Sequence, residues 1–68
     1  MRIMLNGEPC ELGDGASVRD AVTAAGTPAE ARGVSVALDG EVVPRGRWED
    51  EPLADGQRVE VVQAVQGG

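Results

Sequence analysis

Val59-Glu60-Val61-Val62-Gln63-Ala64-Val65-Gln66-Gly67-Gly68 is the stretch on which the fold turns. β-Branched residues dominate 59–65, which predicts a pleated, half-buried strand. Val59 and Val61 are expected to point inward, and Val62 and Ala64 outward. Gly67 and Gly68 then strip every side chain from the backbone beside a terminal carboxylate. Such an end passes where a Cβ would clash, so it suits insertion into a narrow site on another protein. The same composition also fits an ordinary loose chain end.

Working outward, the remaining segments supply neighbours for that strand. Residues 1–5 read as a first strand, with Met1, Ile3 and Leu5 on one face and Arg2 and Met4 on the other. Asn6-Gly7 is a two-residue hairpin signal. Residues 8–12 return as a second strand, pairing Leu5 with Glu8, Ile3 with Cys10 and Met1 with Leu12. That register keeps Cys10 and Leu12 on the Ile3 face. Pro9 cannot donate to a ladder, so this strand belongs at an edge.

Ser17 reads as a helix N-cap with Asp20 as its partner three residues on. Val18, Ala21, Val22 and Ala25 have the spacing of one buried helical face. Gly26 stops the helix and Pro28 blocks its continuation. Residues 27–33 are a connection with one helical turn at 29–31. Val34–Leu38 and 41–43 form a second hairpin around Asp39-Gly40. Residues 45–54 read as an irregular loop in which Leu53 anchors to the core. Asp55-Gly56 turns the chain into the last strand.

Hairpin, helix, hairpin, loop and final strand make an α+β fold with about five strands. A right-handed crossover lays the helix over one face of a mixed sheet. The final strand is central and pairs with the first, which is the arrangement of the β-grasp, or ubiquitin-like, fold. Residues 1–64 form the domain and 65–68 a flexible tail. The other sheet face is left uncovered, with Met4, Ala37, Val42, Val62 and Ala64 toward solvent. An apolar patch there suits protein docking; scattered surface apolar residues are the plainer alternative.

Composition narrows the chemistry. The chain has 68 residues, 12 acidic and 6 basic side chains, and a formal charge of −6. A domain this small buries only about 60% of its unfolded surface. The acidic balance disfavours nucleic acid, whose phosphates need neutralising, and one tryptophan gives no stacking platform for bases. All the cations are arginines, so there is no lysine amine for Schiff-base or isopeptide chemistry. No signal peptide is expected, and no apolar run approaches the roughly 20 residues of a membrane span. The single cysteine allows no internal disulfide, and a reducing cytoplasm fits.

Histidine is absent, which rules out serine–histidine and cysteine–histidine nucleophile pairs within this chain. No glycine-rich segment has phosphate-loop spacing, and no cluster of soft ligands suggests zinc. Asp14 with Asp20, and Glu49 with Glu51, read as solvated charges rather than working carboxylate pairs. Cys10 points inward without a basic neighbour, and reads as a small core hydrophobe. Trp48 has two open readings: an anchor for a partner, or a cap on the core beside Leu53.

The chain resembles the ThiS family of sulfur carriers. The resemblance runs through Met1-Arg2-Ile3-Met4-Leu5-Asn6-Gly7-Glu8 and is strongest in Val34-Ser35-Val36-Ala37-Leu38-Asp39-Gly40-Glu41-Val42-Val43-Pro44-Arg45. It continues in Leu53-Ala54-Asp55-Gly56 and Val59-Glu60-Val61-Val62, and ends at Gly67-Gly68. Gln66 stands where the family usually has a third glycine. The resemblance implies that the Gly68 carboxylate is adenylated by a ThiF-type enzyme using ATP. A sulfur donor system would convert it to a thiocarboxylate, and thiazole synthase (ThiG-type) would take the sulfur for the thiazole of thiamine. Gln66 and Gly67 would enter the partner's site, and Met4, Val42, Val62 and Ala64 would dock. The chain would be a co-substrate, not an enzyme, with no cofactor or metal of its own. The small subunit of molybdopterin synthase, a ubiquitin-like modifier and a non-catalytic binding module are the alternatives.

Overall fold

A computed structural model describes residues 1–28 and 30–64. The expected helical turn at 29–31 therefore lies partly, and the expected tail at 65–68 wholly, outside the described residues. Five strands form one mixed sheet in the order β2-β1-β5-β3-β4. They are β1 (Arg2–Leu5), β2 (Glu8–Glu11), β3 (Val34–Leu38), β4 (Glu41–Val42) and β5 (Arg58–Gln63). The helix α1 spans Val18–Ala24, and a 3₁₀ turn spans Arg45–Arg47.

Both hairpins follow from their two-residue turns. Asn6 and Gly7 have φ of 50° and 82°, and Asp39 and Gly40 have 49° and 87°. Two successive positive φ values are the type I′ geometry that matches strand twist. The register is Leu5 with Glu8 and Ile3 with Cys10. Met1 and Leu12 lie just outside the strands, yet each nitrogen reaches the other's carbonyl, at 2.8 and 2.9 Å. β2 is an edge strand, where Pro9 leaves no inner ladder bond unmade.

β5 is central, parallel to β1 and antiparallel to β3. These pairings make β2 and β3 run parallel, so the connection through α1 is a crossover. Its N-terminus is closed by Asp20, whose carboxylate accepts the Ser17 backbone N–H at 2.8 Å. Its C-terminus is a Schellman motif: Gly26 N–H bonds Thr23 and Thr27 N–H bonds Val22, at 3.0 and 3.3 Å.

The core lies between α1 and one sheet face. Ile3, Val18, Val22, Val36 and Val59 are its largest fully buried side chains. Each contributes about 1.5–3 kcal/mol relative to an exposed position. Leu53 is buried as expected, and Cys10 packs half-buried against the same cluster.

The 45–54 loop is more built than its composition suggests. Its carbonyls at Glu51 and Trp48 accept the Val18 and Arg19 N–H groups, at 2.9 and 3.0 Å. Those are helix-start donors that have no partner within the helix. Trp48 is 3% exposed, and its indole N–H donates to the Val43 carbonyl at 2.9 Å. Of the two readings of Trp48, the structure decides for the core. The Arg45 guanidinium stacks over its ring, 4.6 Å from the centroid.

Candidate functional site

The last part of β5 borders the sheet face that α1 leaves open. Alternation along β5 buries Val59 and Val61 and turns Arg58, Glu60 and Val62 outward. Val62 and Val42 are 60% and 75% exposed, the two large hydrophobic residues that stand out in solvent among the described residues. Fully wetting such side chains forgoes the burial gain that the core valines realise.

The pairing places these groups relative to one another. Val42 lies opposite Ala37 on β3, and Val62 lies opposite Ser35. Ala37 is thus flanked by Val42 on one side and Glu60 on the other, and Val62 lies diagonal to it in a strip across β4, β3 and β5. Met4 does not join it. Met4 is half-buried and pairs with Pro9 on one side and Arg58 on the other. Arg58 and Glu60 stand on β5 between Met4 and the valine strip, so the face is divided into an apolar and a charged part. That division was present in the strand's alternation: if Val59 and Val61 face inward, Arg58 and Glu60 must face out.

Ala64 is exposed and extends the sheet past β5, its N–H donating to the Gly33 carbonyl at 2.9 Å. Gln66, Gly67 and Gly68 lie outside the described residues.

Two side chains that read as plain turn residues hold β5 in place. The Asn6 Oδ1 accepts the Val61 N–H at 2.8 Å, beyond the point where β1 ends. The side chain thus replaces a missing strand. Asp39 Oδ1 accepts the Arg58 N–H at 3.0 Å, and Asp39 N–H donates to the Arg58 carbonyl at 2.8 Å. Nothing in Asn6-Gly7 or Asp39-Gly40 beyond turn chemistry signals these bonds, because their partners lie far along the chain.

Among the described residues, no three His, Cys, Asp or Glu side chains are grouped to hold a metal, and no helix is long and apolar enough to cross a membrane. Three of the carboxylates pair with arginines at the surface. Arg2 meets Glu11 and Arg47 meets Glu51, each at 2.7 Å, and Arg19 meets Glu49. Exposed pairs of this kind contribute about 0–1 kcal/mol each.

Comparison with known proteins gives a consistent result. Residues 3–68 match the family model of the ThiS family. The sulfur carrier protein ThiS of Thermus thermophilus is 39% identical over 66 residues, covering 97% of this chain and 98% of the relative. The crystal structure of the thiamine biosynthesis protein ThiS from Geobacter metallireducens superposes with a TM-score of 0.77 at 30% identity, covering all of both chains. The solution structure of a thiamine biosynthesis protein from the same organism gives 0.78 at 28% identity, covering 100% of this chain and 88% of that one.

Proposed function

The chain belongs to the ThiS family of sulfur carriers of thiamine biosynthesis, and from that premise we propose that Gly68 is its reacting residue. The family match running through the terminal Gly67-Gly68 pair carries this reading. A ThiF-type enzyme activates the Gly68 carboxylate: a carboxylate oxygen attacks the α-phosphate of ATP and pyrophosphate departs. The resulting acyl adenylate has a good leaving group where the free carboxylate had none. Sulfide-level sulfur from a donor system attacks the carbonyl and AMP leaves, giving a C-terminal thiocarboxylate. Thiazole synthase of the ThiG type then takes the sulfur in exchange for an oxygen, from water or from the acceptor's carbonyl, and the carboxylate is regenerated.

The residues suit these steps. Glycine puts no bulk beside the attacked carbonyl. Gln66 to Gly68 reach roughly 10 Å when extended, enough to enter a recessed site while the domain stays outside. The Val42–Ala37–Val62 strip and Ala64 supply an apolar surface for docking beside the tail's root, with Met4 at its charged margin. The thiamine biosynthesis role of the similar Geobacter proteins favours this pathway over molybdopterin synthesis.

Intact-mass measurement tests the reading. Incubation with the ThiF-type enzyme, ATP and a sulfur source is expected to replace one oxygen by sulfur at the C-terminus. An unchanged mass with a demonstrably active enzyme would overturn it. Removing Gly68 is expected to abolish the modification while leaving the melting temperature where it was.

A further inference from the structure

Gly33 has φ of +73° and carries the carbonyl that accepts the Ala64 N–H. A Cβ built at Gly33 would lie 3.4 Å from the Ala64 Cβ and 3.5 Å from its carbonyl oxygen, which is ordinary contact. Space is therefore not what calls for glycine here. The backbone angle is: an L residue adopts the left-handed conformation roughly five- to thirty-fold less readily. A residue that leaves it must rotate the Gly33 peptide, and the carbonyl then turns away from Ala64.

The segment before Gly33 is fixed from the opposite side. The Arg45 guanidinium donates to the Ala31 carbonyl, and Arg45 is itself stacked on the buried Trp48. Residues 31–33 are thus tied to the core at one end and to Ala64 at the other. Ala64 is the last described residue before 65–68, and its bond to Gly33 fixes where the chain leaves the sheet.

We propose that Gly33, through its left-handed conformation, is a positioning residue that holds Ala64 and so sets the point from which the chain is offered to the activating enzyme. The role in catalysis rests on the carrier reading above. When only a fraction of carriers present the tail correctly, apparent affinity falls by that fraction while turnover of the bound complex is preserved.

The test is a series at one position. Asn tolerates positive φ, whereas β-branched Val is a genuine outlier there. In Gly33→Val, Ala64 amide hydrogen exchange is expected to be about tenfold faster, and KM for the carrier in ATP–pyrophosphate exchange with the ThiF-type enzyme about tenfold higher, with kcat unchanged. Gly33→Asn should stay within about threefold of wild type in both. Gly33→Ala, without the β-branch, should fall between and serves if the valine variant unfolds. A wild-type chain that is never adenylated overturns the carrier reading. An adenylated wild type with unchanged Ala64 exchange and KM across the valine and alanine variants overturns the role of Gly33 alone.

Discussion

The 45–54 loop and the end of β5 invert what their compositions suggest. The loop is short of regular structure and rich in charge, yet it buries Trp48 and Leu53 and caps α1 with two backbone carbonyls. β5 is the most strand-like stretch of the chain, yet its last turn outward leaves Val62 60% exposed, and beyond it a hydrogen bond to Gly33 ties Ala64. Regularity of an element is thus a poor guide to how firmly it is held. Burial and satisfied backbone groups decide that. In this protein the irregular loop is built into the core, while the central strand keeps its last outward residue on an open face.

The contrast can be broken at either region. The largest expected effect is at the loop. Trp48→Ala removes the one large aromatic side chain from the core, takes away the donor to the Val43 carbonyl and uncovers the loop that caps α1. A loss of about 3–5 kcal/mol is expected, a large share of the stability of a domain this size. Chemical denaturation measures it, and a loss below about 1 kcal/mol would show that Trp48 is a surface anchor after all.

Asn6→Ala sharpens the comparison at the junction. It leaves the Val61 N–H without its side-chain acceptor and places a less suitable residue at φ of 50°. An expected cost of about 1–3 kcal/mol should appear with faster amide exchange at Val61 and little change in the 8–12 hairpin arm. Asn6→Gly, which keeps the turn but not the acceptor, should isolate the Val61 contribution.

The smallest effect on stability is expected on the open face. Val62→Asp should change unfolding free energy by no more than about 0.5 kcal/mol, because the side chain is already largely in water. Binding to the ThiF-type enzyme, read by titration calorimetry, should weaken. Unfolding of the variant would place Val62 in the core, and unaltered binding would remove the valine strip from the docking surface.

Much of this was legible in the sequence because its causes are local. Two-residue turns dictate hairpin register, so Ile3 opposite Cys10 follows from Asn6-Gly7 alone. Period-two alternation assigns Val59 and Val61 to the core, and the helix carries its own start at Ser17 and Asp20 and its own stop at Gly26. Tertiary structure alone decided the rest. Whether Trp48 faces a partner or the core depends on what the loop packs against. That Asn6 serves Val61, 55 residues away, depends on β5 lying beside β1 and outrunning it. Gly33 looked like the end of a connection until Ala64 was placed against its carbonyl. Local chemistry sets turns, caps and alternation within a few bonds. The partners of a buried ring or an unpaired backbone N–H are chosen only when distant segments meet.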